Sequence, residues 1–102
     1  MIGEEGVYRA AKNEYLEITE FGWMVDSIGM RVTLRRIYDR YHLPLLITEN
    51  GLGAKDEIGE DGGVHDAYRI DYLQRHFHQA QLAITDGVDL IGYCPWSFMD
   101  LV

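Results

Sequence analysis

A single cysteine, Cys94, stands among 102 residues. One thiol excludes any disulfide framework within the chain and suits a reducing compartment. Basic residues are scarce as well: nine Lys and Arg against seventeen Asp and Glu leave a formal net charge of −8. Nucleic-acid binding needs a basic stripe to neutralise phosphates, and none is visible, so no nucleic-acid partner is expected. The longest apolar run falls far short of the roughly 20 residues that cross a bilayer, so no membrane partner is expected either. The start, Met1-Ile2-Gly3-Glu4-Glu5, is acidic where a secretory leader carries cations, and the expected location is cytoplasmic. No internal repeat or low-complexity tract is present.

What is there fits a folded α/β piece. Hydrophobic residues make up 47% and charged residues 25%, which argues against intrinsic disorder. Aromatics reach 12%, seven of them tyrosines, a surplus that fits either a plain core or a sugar-binding surface. Residues 1–20 are weakly patterned and read as an irregular surface segment, with Tyr15, Leu16 and Ile18 as anchors. Asp26-Ser27 offers an N-cap before Met30, Leu34, Ile37, Tyr38 and Tyr41, whose spacing predicts a helix over 27–41. Pro44 prevents its continuation. Leu43 to Thr48 is nearly all apolar and predicts a strand buried on both faces, ended abruptly by Glu49-Asn50-Gly51. A long loop to about His65 carries glycines at 51, 53, 59, 62 and 63, and connections of that length are often functional. Asp66 caps a second predicted helix with Ile70, Leu73, Phe77, Ala80 and Ile84 as its apolar face, stopped by Gly87. Val88 to Tyr93 predicts a second buried strand. Strand, helix, strand implies two parallel strands with a right-handed crossover. Two such strands cannot cover themselves.

Glu49 is the most informative position. An acid at the C-terminal end of a buried strand sits where α/β proteins assemble active sites, or it simply marks the strand's end. Weaker signals lead nowhere. Asp56, Glu57, Glu60 and Asp61 form an acidic loop, but Asp61 occupies the position where a calcium loop requires glycine. His42, His65, His76 and His78 lack metal-ligand spacing, and the last two face different sides of a helix, so no metal is expected. Gly51-x-Gly53 lacks the third glycine and the prompt helix of a dinucleotide loop, and no cofactor is expected. Cys94 reads as a small buried thiol.

Leu45-Leu46-Ile47-Thr48-Glu49-Asn50-Gly51 resembles the Thr-Glu-Asn-Gly signature of glycoside hydrolase family 1, the β-glucosidase family. Phe21-Gly22-Trp23 through Val25-Asp26-Ser27-Ile28-Gly29-Met30-Arg31 is similar to that family's W-G-W-x-I-D-P-x-G-L-R segment, with Ser27 in place of Pro. Asp66-Ala67-Tyr68-Arg69-Ile70-Asp71-Tyr72-Leu73 and Gly87-Val88-Asp89-Leu90-Ile91-Gly92-Tyr93, with Pro95-Trp96-Ser97, resemble its later segments. The likeness runs in order from about residue 13 to 102. It implies a partial (β/α)8 barrel covering roughly the seventh and eighth strands with their helices, a complete barrel needing roughly 250 residues. It also implies retaining hydrolysis of β-glucosides with Glu49 as nucleophile and Trp96 as one wall of the sugar site. Trp96 fits a plain core aromatic as well. Trp96-Ser97-Phe98-Met99-Asp100-Leu101-Val102 ends like the 6-phospho-β-glucosidase branch, as does the Gly51-Leu52-Gly53-Ala54 loop, so a 6-phospho-β-glucoside is the expected substrate. The family's acid/base Glu lies in an Asn-Glu-Pro motif that this sequence lacks, and a missing proton donor costs about 10²–10⁴-fold. The 102 residues alone are therefore expected to be inactive, and to self-associate through exposed strand edges. The alternative is a small α/β binding or structural module without catalytic activity.

Overall fold

A computed structural model describes residues 11, 13–19, 22–97 and 99. In chain order the elements are β1 (Glu17–Ile18), β2 (Met24–Val25), α1 (Ser27–Tyr41), β3 (Leu45–Gly51), α2 (Ala67–Thr85) and β4 (Leu90–Trp96). The arrangement is a small α/β unit: β3 and β4 pair in parallel, α1 packs on α2, and β1 with β2 forms a separate antiparallel ribbon.

Helix α1 starts as its sequence dictates. The Asp26 Oδ1 accepts the Gly29 amide at 2.8 Å, satisfying one of the free N–H groups of the first turn. It ends at His42, which takes a left-handed φ of 50° and donates its amide to the Tyr38 carbonyl at 2.8 Å. Only Leu34 of the expected stripe is buried, with Met30 and Tyr38 packed against it, while Ile37 and Tyr41 are exposed. A single neighbouring helix covers a narrower strip than the apolar pattern offers.

Helix α2 departs further from its expected face. The buried residues are Tyr72, His76, Ala80 and Ala83; of the predicted stripe only Ala80 is among them, and Ile70, Phe77 and Ile84 are exposed. Small side chains let the helices approach closely, and Leu34, Ala80, Ala83 and Val88 form the core. Hydropathy favours the larger Ile and Phe, so it selected a neighbouring line. Asp66 stands at the N-cap without a side-chain cap bond, its Oδ2 accepting from Arg69 Nη1 at 3.0 Å instead. Gly87, with φ 109°, ends the helix, and the Val88 amide donates back to the Ala83 carbonyl at 3.0 Å. Asp86 adds negative charge at a C-terminus, an unfavourable end for it. Arg31 of α1 compensates with a two-pronged contact, Nε to Oδ2 at 2.7 Å and Nη2 to Oδ1 at 2.8 Å, and holds the Asp86 carboxyl below its usual range.

Both central strands start and end later than their apolar runs. Leu43 and Pro44 are spent on the turn after the helix, and β3 continues through Glu49 and Asn50 to Gly51 instead of stopping at Thr48. Likewise β4 reaches Trp96. The register pairs Leu45 with Leu90, Leu46 with Gly92, Ile47 with Tyr93, Asn50 with Pro95 and Gly51 with Trp96, with irregularities between Leu45 and Leu46 and between Ile47 and Asn50. Among the described residues the strands are covered on one face only. Leu45, Ile47, Leu90 and Tyr93 pack toward the core, whereas Leu46 and Ile91 are exposed. Cys94, expected as a buried thiol, is exposed as well.

Part of the irregular segment expected over residues 1–20 is ordered: Glu17 pairs with Val25 and Ile18 with Met24. Arg75 of α2 anchors that ribbon through Glu17, Nη2 to Oε2 at 3.1 Å. The rest of that expectation, residues 1–10, 12 and 20, lies outside the described residues. The long loop folds on itself at an Ile58–Val64 bridge, with Gly62 at φ 81° in the turn. Its Asp56 accepts from Arg69 and from the Tyr68 hydroxyl, so that acid is held by side chains of α2.

Candidate active site

The C-terminal ends of β3 and β4 meet at Gly51 and Trp96. A Cβ on Gly51 would collide with the Trp96 carbonyl, so only glycine permits this approach. Trp23, just before β2, stacks on Trp96 with centroids 5.6 Å apart and planes inclined by 26°. Trp23, Glu49, Asn50, Gly51 and Trp96 together line one groove of about 270 Å³. Glu49 is exposed there and Trp96 half-buried.

Asn50, at the edge of the groove, is held by two tyrosines. Its Oδ1 accepts the Tyr93 hydroxyl, and its Nδ2 donates to the Tyr72 hydroxyl oxygen at 3.4 Å. Burial pushes the Tyr93 phenol up to about 12, with the nearby Tyr72 adding to the shift, and burial raises Tyr72 too. Tyr72 stacks on His76 at 3.8 Å. The His76 Nδ1 lies 2.8 Å from the Tyr72 carbonyl, which can only accept, so Nδ1 carries the proton. Burial lowers the His76 pKa and keeps the ring neutral.

Both expected site residues, Glu49 and Trp96, thus share one groove. Trp23, Tyr72 and Tyr93 did not stand out as site residues: each reads as an ordinary aromatic, and only the position of Trp23 in the Trp-containing segment before α1 hinted at more. A larger cavity of about 390 Å³ lies between the β1–β2 ribbon, the start of the long loop and α2, lined in part by Leu52, Tyr68 and Arg75. Arg75 is engaged there by Glu17 and Asp71, so the carboxylate–tryptophan groove is the better chemical site. Among the described residues no cluster of His, Cys, Asp or Glu could hold a metal ion, and no helix is long and apolar enough to cross a membrane.

The sequence matches the family model of glycosyl hydrolase family 1 over residues 3–102. The chain belongs to glycosyl hydrolase family 1. It is 56% identical to the aryl-phospho-beta-D-glucosidase BglC of Bacillus subtilis over 98% of its own length and 21% of that protein's. It is 46% identical to the 6-phospho-beta-glucosidase AscB of Escherichia coli, over 94% of this chain and 20% of that one. Among solved structures, the family 1 β-glucosidase from Thermotoga maritima, in complex with isofagomine lactam, superimposes with a TM-score of 0.80 at 41% identity, covering 84% of this chain and 20% of that chain. The chain therefore spans about a fifth of the length of these relatives. The groove residues Trp23, Glu49 and Trp96 fall within the span matched to the family model.

Proposed function

We propose that these residues form the portion of a (β/α)8 barrel around its seventh and eighth strands, in an enzyme that hydrolyses 6-phospho-β-glucosides with retention of configuration. The observation that carries this reading is the convergence of Glu49 and Trp96, from the C-terminal ends of two parallel strands, on one groove. Such strand ends are where barrel enzymes place their chemistry. The similarity to phospho-β-glucosidases of Bacillus subtilis and Escherichia coli supports the phosphorylated substrate.

In this reading the Glu49 carboxylate attacks the anomeric carbon as the bond to the leaving oxygen breaks. A second carboxyl group, roughly 5–5.5 Å away, supplies the leaving group's proton. The glycosyl ester on Glu49 is then cleaved by water, which gives its proton to that second group. Trp96 walls the sugar, with Trp23 stacked against it. The sequence has no Asn-Glu-Pro to provide the second carboxyl, so the 102 residues by themselves contribute the nucleophile and do not turn over. Their exposed sheet face, with Leu46 and Ile91, favours self-association of the isolated chain.

The test places these residues in the corresponding stretch of Bacillus subtilis BglC. The hybrid should cleave an aryl 6-phospho-β-glucoside in preference to the unphosphorylated glucoside, and Glu49→Gly should abolish turnover. Azide, entering the space of the lost carboxylate, should restore turnover of a substrate with an activated leaving group and yield the inverted glycosyl azide. Undiminished hydrolysis by Glu49→Gly would overturn the assignment. So would turnover of an aryl 6-phospho-β-glucoside by the 102-residue chain on its own, as regards its inactivity.

A further inference from the structure

The strand ladder does not by itself fix the direction of Glu49. After an earlier register shift between Leu45 and Leu46, the pairing of β3 with β4 breaks again at Ile47 and resumes at Asn50, three positions later on β3 against two on β4, from Tyr93 to Pro95. Thr48 and Glu49 fall inside this irregularity and both are exposed. Irregularities of this kind re-aim side chains and are common beside active sites. Something must hold the backbone immediately after them. Asn50 is held at both ends of its amide, by the Tyr93 hydroxyl from β4 and the Tyr72 hydroxyl from α2.

We propose that Asn50, clamped by Tyr93 and Tyr72, is a positioning residue that sets the angle at which Glu49 enters the groove. The proposal rests on the reading of Glu49 as nucleophile. The clamp ties the residue after the irregularity to two different elements and so anchors, on its C-terminal side, the backbone from which Glu49 projects. The amide turns its oxygen toward Tyr93 and its nitrogen toward Tyr72, so each end meets a hydroxyl. Both phenols remain protonated at neutral pH, Tyr93 being pushed up to about 12, so the clamp does not titrate over the range where a glycosidase works. The buried His76 stacks on the Tyr72 ring.

The experiment uses the same BglC hybrid, because these residues span a fifth of the relatives' length. A displacement of about 1 Å at a reacting group can cost on the order of 10²-fold, so Asn50→Ala should lower kcat by about 10- to 100-fold with KM little changed. Tyr93→Phe, which removes one oxygen and keeps the ring, should lower kcat by a smaller factor in the same manner. If Asn50→Ala fails to fold, Tyr93→Phe carries the test. The separating measurement is made in the Glu49→Gly background with azide as nucleophile. There a residue acting only through Glu49 has nothing left to position, so adding Asn50→Ala or Tyr93→Phe should leave the azide-rescued rate unchanged. A rescued rate depressed as strongly as the ordinary one would reduce Asn50 to general scaffolding and overturn the proposal. So would clamp variants with the parent kcat. If Glu49→Gly itself hydrolysed substrate at the parent rate, the nucleophile assignment would fail first, a result readily told apart from failure of the clamp alone.

Discussion

At Gly51 a single hydrogen decides whether two strands can close. The Trp96 carbonyl occupies the space a methyl would need, and the obstacle is backbone on both sides, so no side chain can swing away. Gly51→Ala should therefore cost about 1–3 kcal/mol, typical of overpacking, read as a lower urea midpoint of the hybrid enzyme. An unchanged midpoint would show that the strands meet elsewhere. His76 gives a second prediction at this scale. Burial holds its folded pKa below the 6.5 of a free imidazole, so the unfolded chain takes up the proton first. Stability is then full above about pH 6.5 and falls as pH drops through that value toward the folded pKa. Urea titrations at about pH 7.5 and about pH 5.5 should show this loss in the parent and less of it in His76→Gln. Equal losses in the two proteins would remove His76 from the account. Asp56 and Asp86, whose pKa values are lowered from 3.8 by their hydrogen-bonded partners, act only in a more acid range. Glu49 and Trp96 were readable as residues because they sit in distinctive local motifs. Tyr72 and Tyr93 were not, because nothing local separates a tyrosine that clamps an amide from one that fills a core.

The elements themselves show where pattern reading succeeds and where it slips. Helix α1 occupies the residues its cap and periodicity predicted, 27–41, since both signals are local. Helix α2 was placed correctly and turned wrongly. Tyr72 and His76 are buried as a stacked pair, with the Tyr72 hydroxyl on Asn50. Ala80 and Ala83, further along, are buried because two helices lying close together select small residues at their contact. Ala83 is fully buried there, so Ala83→Leu should destabilise by about 1–3 kcal/mol, whereas Ile84→Ser, at a half-exposed site, should be close to neutral. Thermal melts of the two variants decide the matter; the reverse order would restore the face that hydropathy suggested. The strands slipped for a related reason. Apolar runs mark where a strand is buried, and hydrogen bonding continues past them wherever a polar residue such as Asn50 finds partners.

The whole molecule is more extended than a finished domain of its length. Its radius of gyration is 15.7 Å, against about 13 Å expected for a compact chain of about 100 residues. Among the described residues no large side chain is fully buried, and Leu46 and Ile91 stand 53% and 67% exposed on the uncovered side of the sheet. Apolar sheet surface of this kind drives association. Sedimentation of the isolated chain should accordingly show species larger than a monomer, and Ile91→Lys should shift the population toward the monomer. A parent chain that sediments as a compact monomer, with its strand amides protected from exchange, would count against this. The same open face is what a complete barrel would cover, so the proposed enzyme and the expected association of the isolated chain would follow from one geometry.

Local information settled what kind of chain this is. Caps, a proline stop, two apolar runs and the Thr-Glu-Asn-Gly stretch specify helix and strand order and point to the family, because each depends on residues adjacent in sequence. Parallel pairing then follows from the strand–helix–strand order. Tertiary structure alone decided which line of α2 is buried, that Trp23 stacks on Trp96, and that Asn50 is gripped by tyrosines from a helix and a neighbouring strand. Those outcomes depend on the distance and angle between elements, quantities that no run of neighbouring residues encodes.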